Sequence, residues 1–129
     1  MSNSVPIRLR LTLAAVKEAG LKAYNEKRLS AQGPTPACKY RDDSGRPCII
    51  GASIPDDIAA TLRQSAPVWL LRSNGVHIDS EEICYLQRLH DAWATSFTDP
   101  TQAAVIAREP QVQPPEYYEA KLVAALKHP

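Results

Sequence analysis

No stretch of the 129 residues approaches the roughly 20 consecutive apolar residues that a bilayer-spanning helix requires. The N-terminal segment MSNSVPIRLRLTLAAVKEAG has an apolar part, but Arg8, Arg10 and Lys17 interrupt it, so it does not read as a signal peptide. Cysteine is scarce, and its count of three is odd, which argues against the disulfide scaffold of a small secreted domain. Free thiols in a reducing cytoplasm are the expectation. Charge of one sign is missing too. With 15 basic and 14 acidic residues the formal net charge is +1, too small to draw the chain globally towards nucleic acid or an anionic membrane. Nor is the chain an acidic mimic of nucleic acid. There is no glycine-rich phosphate loop, no serine nucleophile elbow and no HExxH helix. Neither a catalytic group, a cofactor nor a bound metal is expected.

What is present suits one globular domain. At 44% hydrophobic and 22% charged, the chain has enough apolar matter for a single core. The reading is α+β: a mainly helical single domain over residues 1–129, with a small β-hairpin at about Cys38–Ile50 packed on the helices. The run IRLRLTL alternates like a strand, yet Leu9, Leu13, Val16, Ala19 and Ala23 also share a helix face. A helix from about Ile7 to Leu29, started by Ser4 and Pro6, is favoured; a short strand over Ile7–Leu13 before a shorter helix is the alternative. Ser53 and Asp56 resemble a capping box for a short helix at about Ile54–Gln64. PVWLLRSNG reads as one or two buried helical turns closed by Asn74-Gly75.

The strongest helix signal is IDSEEICYLQRLHDAWATSF. Asp79 as N-cap, Glu82 three residues on, and an Ile78–Ile83 staple would start it. Ile83, Leu86, Leu89, His90, Trp93 and Phe97 then form one broad apolar stripe. Asp99-Pro100 starts a further short helix within a proline-containing connector, about residues 98–114. A last helix at 115–127 carries Tyr118, Leu122 and Ala125 on one side.

The hairpin is anchored on CKYRDDSGRPCIIG. A three-residue loop, Asp43-Ser44-Gly45, puts Cys38, Tyr40, Cys48 and Ile50 on an inner face and leaves Lys39 and Arg41 outside, with Arg46 beside the turn. Cys38 and Cys48 are nine residues apart, wider than the paired spacing zinc prefers, so both read as small buried hydrophobes. Cys84 falls on the polar side of its helix beside Arg88 and Asp91. A cysteine–histidine pair using Cys38, Cys48 or Cys84 with His90 lacks a nucleophile's setting, because no helix N-terminus is expected to follow Cys38 or Cys48 directly. A core histidine bonded to the backbone is the preferred role for His90. The acidic pairs Asp42-Asp43 and Asp56-Asp57 fit turn and capping duty. Lys39, Arg41, Arg46, Tyr117 and Tyr118 are the candidate partner-binding residues.

The pattern CKYRDDSGRPCIIGASIPDD, with LQRLHD further on, resembles a group of small uncharacterised proteins encoded by bacteriophages and prophages. These share a CxYR…GxxCxxGxxIPD segment after a helix and end near a His-Asp pair. The match runs from about Cys38 to Asp91. It departs at Ser53, where a bulkier apolar residue is common, and in the proline-containing tail after Phe97. The resemblance implies the cytoplasm of a bacterial host. It also implies a small non-enzymatic accessory protein that binds and modulates a host protein, including defence machinery in an anti-CRISPR-like manner. The alternatives are a cysteine-dependent redox or hydrolytic protein using His90, and a nucleic-acid binder acting through the basic hairpin.

Overall fold

The computed structural model describes residues 6–30, 46–61 and 68–128. In chain order they form β1 (Leu9–Leu11), α1 (Leu13–Asn25), α2 (Ile49–Ala52), α3 (Asp56–Ala59), α4 (Val68–Ser73), β2 (Val76–Ile78), α5 (Glu81–Ser96), α6 (Pro100–Ala107) and α7 (Pro115–Lys127). The fold is a mainly helical α+β domain, as expected. Among the described residues its β component is not a hairpin. It is a two-stranded parallel pair in which Leu9, Arg10 and Leu11 face Val76, His77 and Ile78.

The alternating run at the start of the chain therefore resolves as the short strand, and the long helix from Ile7 is not formed. Strand and helix patterns coexist in that run, and Thr12 separates them. Its side-chain oxygen accepts the Ala15 N–H at 3.2 Å and starts α1. A partner 67 residues away decides the issue for Leu9–Leu11. Leu11, Val76 and Ile78 turn into the core, while Arg10 and His77 stay at the surface. The turn before β2 needs Gly75. Its φ is +87°, and a Cβ there would lie 2.7 Å from the Pro6 carbonyl oxygen. The Gly75 carbonyl then accepts from Arg8 N–H at 2.8 Å and Leu9 N–H at 3.2 Å, which aligns the pair.

The hairpin expected over Cys38–Ile50 is corrected where it can be followed. Ile49 and Ile50 belong to α2, and Cys48 is its N-cap, so no second strand forms there. Residues 31–45, including Cys38, Lys39, Tyr40 and Arg41, lie outside the described residues. The single helix expected over Ile54–Gln64 is also replaced. Short α2 and α3 flank Ser53, which ends α2 rather than capping α3. The Ser53 hydroxyl is buried without a hydrogen-bond partner among the described residues. Leu71 in α4 is fully buried and Asn74-Gly75 follows, as the apolar run and turn pair suggested.

Helix α5 is the axis of the domain. Its cap is Ser80, not Asp79: the Ser80 hydroxyl accepts the Glu82 N–H at 3.2 Å. The shift has a plain cause. Asp79 N–H is taken by the Leu11 carbonyl at 3.0 Å, so Asp79 still belongs to the strand ladder. Its carboxylate instead meets Arg10 at 3.3 Å and His77 at 3.0 Å. Ile83, Leu86, Leu89, His90 and Trp93 are buried as the stripe requires, whereas Phe97 is 53% exposed. Helices α6, α7, α2 and α1 all pack on α5, and α1 also packs on α2 and α7. Asp99 caps α6 by accepting the Gln102 N–H at 3.1 Å, with Pro100 at its first position. In α7, Tyr118, Leu122 and Leu126 form the buried face. α1 approaches α7 and α2 closely at Gly20, where a Cβ would meet Leu126 at 3.1 Å and Ile49 at 3.2 Å. Among the described residues no helix is long and apolar enough to cross a membrane.

Candidate functional site

Among the described residues, two places bring chemically useful side chains together. The first is inside. His90 and Cys48 are both fully buried. The His90 Nε2–H donates to the Ser30 carbonyl at 2.8 Å, and Nδ1 lies 3.2 Å from the Asp91 carboxylate. Asp91 also accepts from Gln87 Nε2 at 2.7 Å, and Gln87 Oε1 accepts the Ile50 N–H at 2.9 Å. One polar chain thus runs from the strap after α1, through α5, to the start of α2. Burial alone would lower the pKa of His90. The hydrogen bond and charge of Asp91, together with the nearby Cys48 sulfur and the Ser30 carbonyl, outweigh it and leave the pKa raised. The geometry agrees. Both partners of the ring, a carbonyl and a carboxylate, are acceptors, so only an imidazolium can donate to both.

Cys48 carries the property that the sequence did not reveal. A helix begins immediately after it, and its sulfur accepts the Gly51 N–H at 3.3 Å. A buried cysteine and a buried histidine, the latter bonded to half-buried Asp91, therefore lie in one region, and a helix follows Cys48, contrary to expectation. Access is what it lacks, for neither the sulfur nor the ring meets solvent. Cys84 is half-buried. The backbone-bonded core role foreseen for His90 is the one it has. Gln87 was missed by sequence reasoning, although its i, i+4 spacing to Asp91 is a readable signal.

The second place is an open cavity of about 460 Å³ at the far end of the same assembly. Tyr24 from the end of α1, Leu29 from the strap and Trp93 from α5 give it apolar walls; Lys27, Arg46 and Glu119 bring charge. The indole of Trp93 is fixed by edge contacts to His90, at 5.9 Å between ring centroids, and to Phe97, at 5.6 Å. Lys27 lies just past the α1 cap with φ +58°, and its carbonyl accepts from Arg46 Nη1 at 2.7 Å. Arg46, a candidate partner-binding residue, is thus exposed at the edge of this cavity and also ties down the turn after α1. Tyr24 titrates above its ordinary value, first through burial and then through the charge of Glu119.

The other candidate residues are placed apart. Tyr118 is buried in the core against α5, so it offers no surface, because α7 turns the Tyr118–Leu122–Leu126 face inward. Tyr117 is half-buried and its hydroxyl donates to Glu109 at 3.0 Å, while the Lys121 ammonium pairs with the same carboxylate and lies over the Tyr117 ring. This cluster holds the pKa of Glu109 down, first through the Lys121 hydrogen bond, and pushes that of Lys121 up. It fastens α7 to the end of α6. Asp56 and Asp57 occupy the first turn of α3. Among the described residues no group of three or more histidine, cysteine or acidic side chains is placed to hold a metal ion.

No family model, no curated protein and no solved structure matches this chain.

Proposed function

We infer that this chain is a non-enzymatic binding protein that acts on a protein of a bacterial host, as a small accessory protein of a phage or prophage. The resemblance over Cys38–Asp91 supplies the context. The observation that carries the binding reading is the Trp93 cavity, an aromatic wall fixed in orientation and bordered by cations, which is the composition that anchors protein contacts. An anti-CRISPR-like action on a defence component is one form of this activity. The partner surface first expected, the outer face of a hairpin at Lys39 and Arg41, lies outside the described residues; Arg46, its third member, borders the cavity. Bait capture tests the reading. Tagged protein is incubated in bacterial lysate and the bound material identified by mass spectrometry. A stoichiometric host protein supports it. Recovery of nucleic acid alone, released by salt, would replace it with the nucleic-acid reading.

One observation favours a second reading. Cys48 stands at a helix start in the same buried region as His90, whose titration it influences, and with Asp91 these are the residue types of cysteine-dependent chemistry. That reading requires the core to open. Native thiol labelling tests it: modification of Cys48 as fast as that of a free thiol supports it, and protection until denaturation refutes it.

A further inference from the structure

We propose that the cavity between α1, α5 and α7 docks an acidic peptide segment of the partner, with one bulky apolar side chain of that segment seated against Trp93. The proposal rests on the binding reading above and names the chemistry of what binds. Shape sets the first requirement. A volume of about 460 Å³ lies within the roughly 300–1,000 Å³ typical of sites that enclose a compact ligand. Its apolar walls, Tyr24, Leu29 and Trp93, come from three separate parts of the chain, so the space is defined by the packed core. The indole is held on both sides by ring edges and does not have to be ordered when a ligand enters.

Charge sets the second requirement. Among the described lining residues, Lys27 and Arg46 adjoin on the side of the strap and Glu119 lies on α7. A segment whose carboxylates flank the anchor on the strap side meets two cations there. A basic segment in the same place would be repelled.

The backbone at Lys27 points the same way. The residue after a helix cap in the left-handed region is usually glycine, and a side chain there strains the backbone. This chain has lysine at φ +58°, and Lys27 makes no ion pair among the described residues. A cation is held on the cavity rim at the expense of backbone strain.

Selection from a random linear peptide library against the immobilised protein tests the proposal. The expected consensus is a large aromatic or aliphatic residue with aspartate or glutamate close beside it. Lys27→Glu should lose that acidic preference or exchange it for lysine and arginine. Lys27→Gly separates binding from folding. It relieves the left-handed strain, so its thermal midpoint should be no lower than that of the parent, while its affinity for the consensus peptide falls about fivefold to tenfold. A consensus without acidic residues, one that Lys27→Glu leaves unchanged, or no enrichment at all overturns the proposal. If lysate capture still returns a host protein, and Lys27→Glu binds it undiminished, the binding reading stands and its surface lies elsewhere. If capture and selection are both empty, both fail.

Discussion

Replacing His90 by leucine should destabilise the protein by about 2–4 kcal/mol. The substitution keeps an apolar side chain of moderate bulk in a fully buried site, so the cavity it creates is small. What it removes is the donor to Ser30 at 2.8 Å and the charged contact to Asp91 at 3.2 Å. A buried carbonyl left without a donor costs about 1–3 kcal/mol, and a hydrogen bond to a charged group is worth about 1.5–3 kcal/mol. The Asp91 side chain is 24% exposed and keeps its bond to Gln87, so water offsets part of its loss. For a domain of this size the thermal midpoint should fall by on the order of 10 °C. The pH dependence is the sharper test. The folded-state pKa of His90 is raised above its unfolded value, near 6.5. Its contribution is therefore fully present below about 6.5 and is lost as pH rises through the folded value. Urea melts from pH 5.5 upward should show the parent losing stability relative to His90→Leu through that window. Parallel curves for the two proteins, or a His90→Leu variant as stable as the parent, would refute the imidazolium assignment.

Three further outcomes are expected. Ser80→Ala should cost about 0.5–2 kcal/mol in denaturant melts as an N-cap loss, whereas Asp79→Ala, which breaks only surface contacts, should cost under about 1 kcal/mol; the reverse order would return the cap to Asp79. Gly75→Ala should destabilise by about 2 kcal/mol or more, since φ +87° is strained for alanine and the new Cβ would clash with the Pro6 carbonyl; an unchanged melt would mean that the β1–β2 pairing does not depend on that turn. In native protein Cys84 should react with a thiol reagent well before Cys48, with mass spectrometry of the labelled peptides giving the order; early modification of Cys48 would show that the core around His90 opens readily.

Local signals were legible wherever one segment of chain decided the outcome. The stripe from Ile83 to Trp93 is a helical period, Asp99-Pro100 is a start signal, and Asn74-Gly75 is a turn; each formed where the residues indicated. The cap at Ser80 was misplaced by one residue because the Leu11 carbonyl, distant in sequence, claims the Asp79 N–H. The same non-local pairing decided Leu9–Leu11, whose residues satisfy strand and helix patterns equally until Val76–Ile78 arrives beside them. Phe97 continues the stripe in period, yet it falls at the end of α5, where less structure is left to cover it.

The candidate site divides in the same way. That His90 belongs in the core could be read from its place in an apolar stripe. That its ring meets two acceptors could not, because Ser30 lies 60 residues away and the sequence carries no mark of that contact. Cys48 looked like a strand residue from its alternation with Ile50. Packing of α2 against α1 and α5, with the Ile50 N–H taken by Gln87, turned the segment into a helix and set the thiol at its start. The Trp93 cavity is entirely a product of the tertiary structure. Its walls come from positions 24, 29 and 93, which share no local pattern. The sequence by itself determined the helical period, the cap and turn residues that act within a few positions, and which side chains are apolar enough to be buried. Only the tertiary structure decided which backbone groups find distant partners and which buried polar groups meet, because those contacts depend on how separately formed elements pack together.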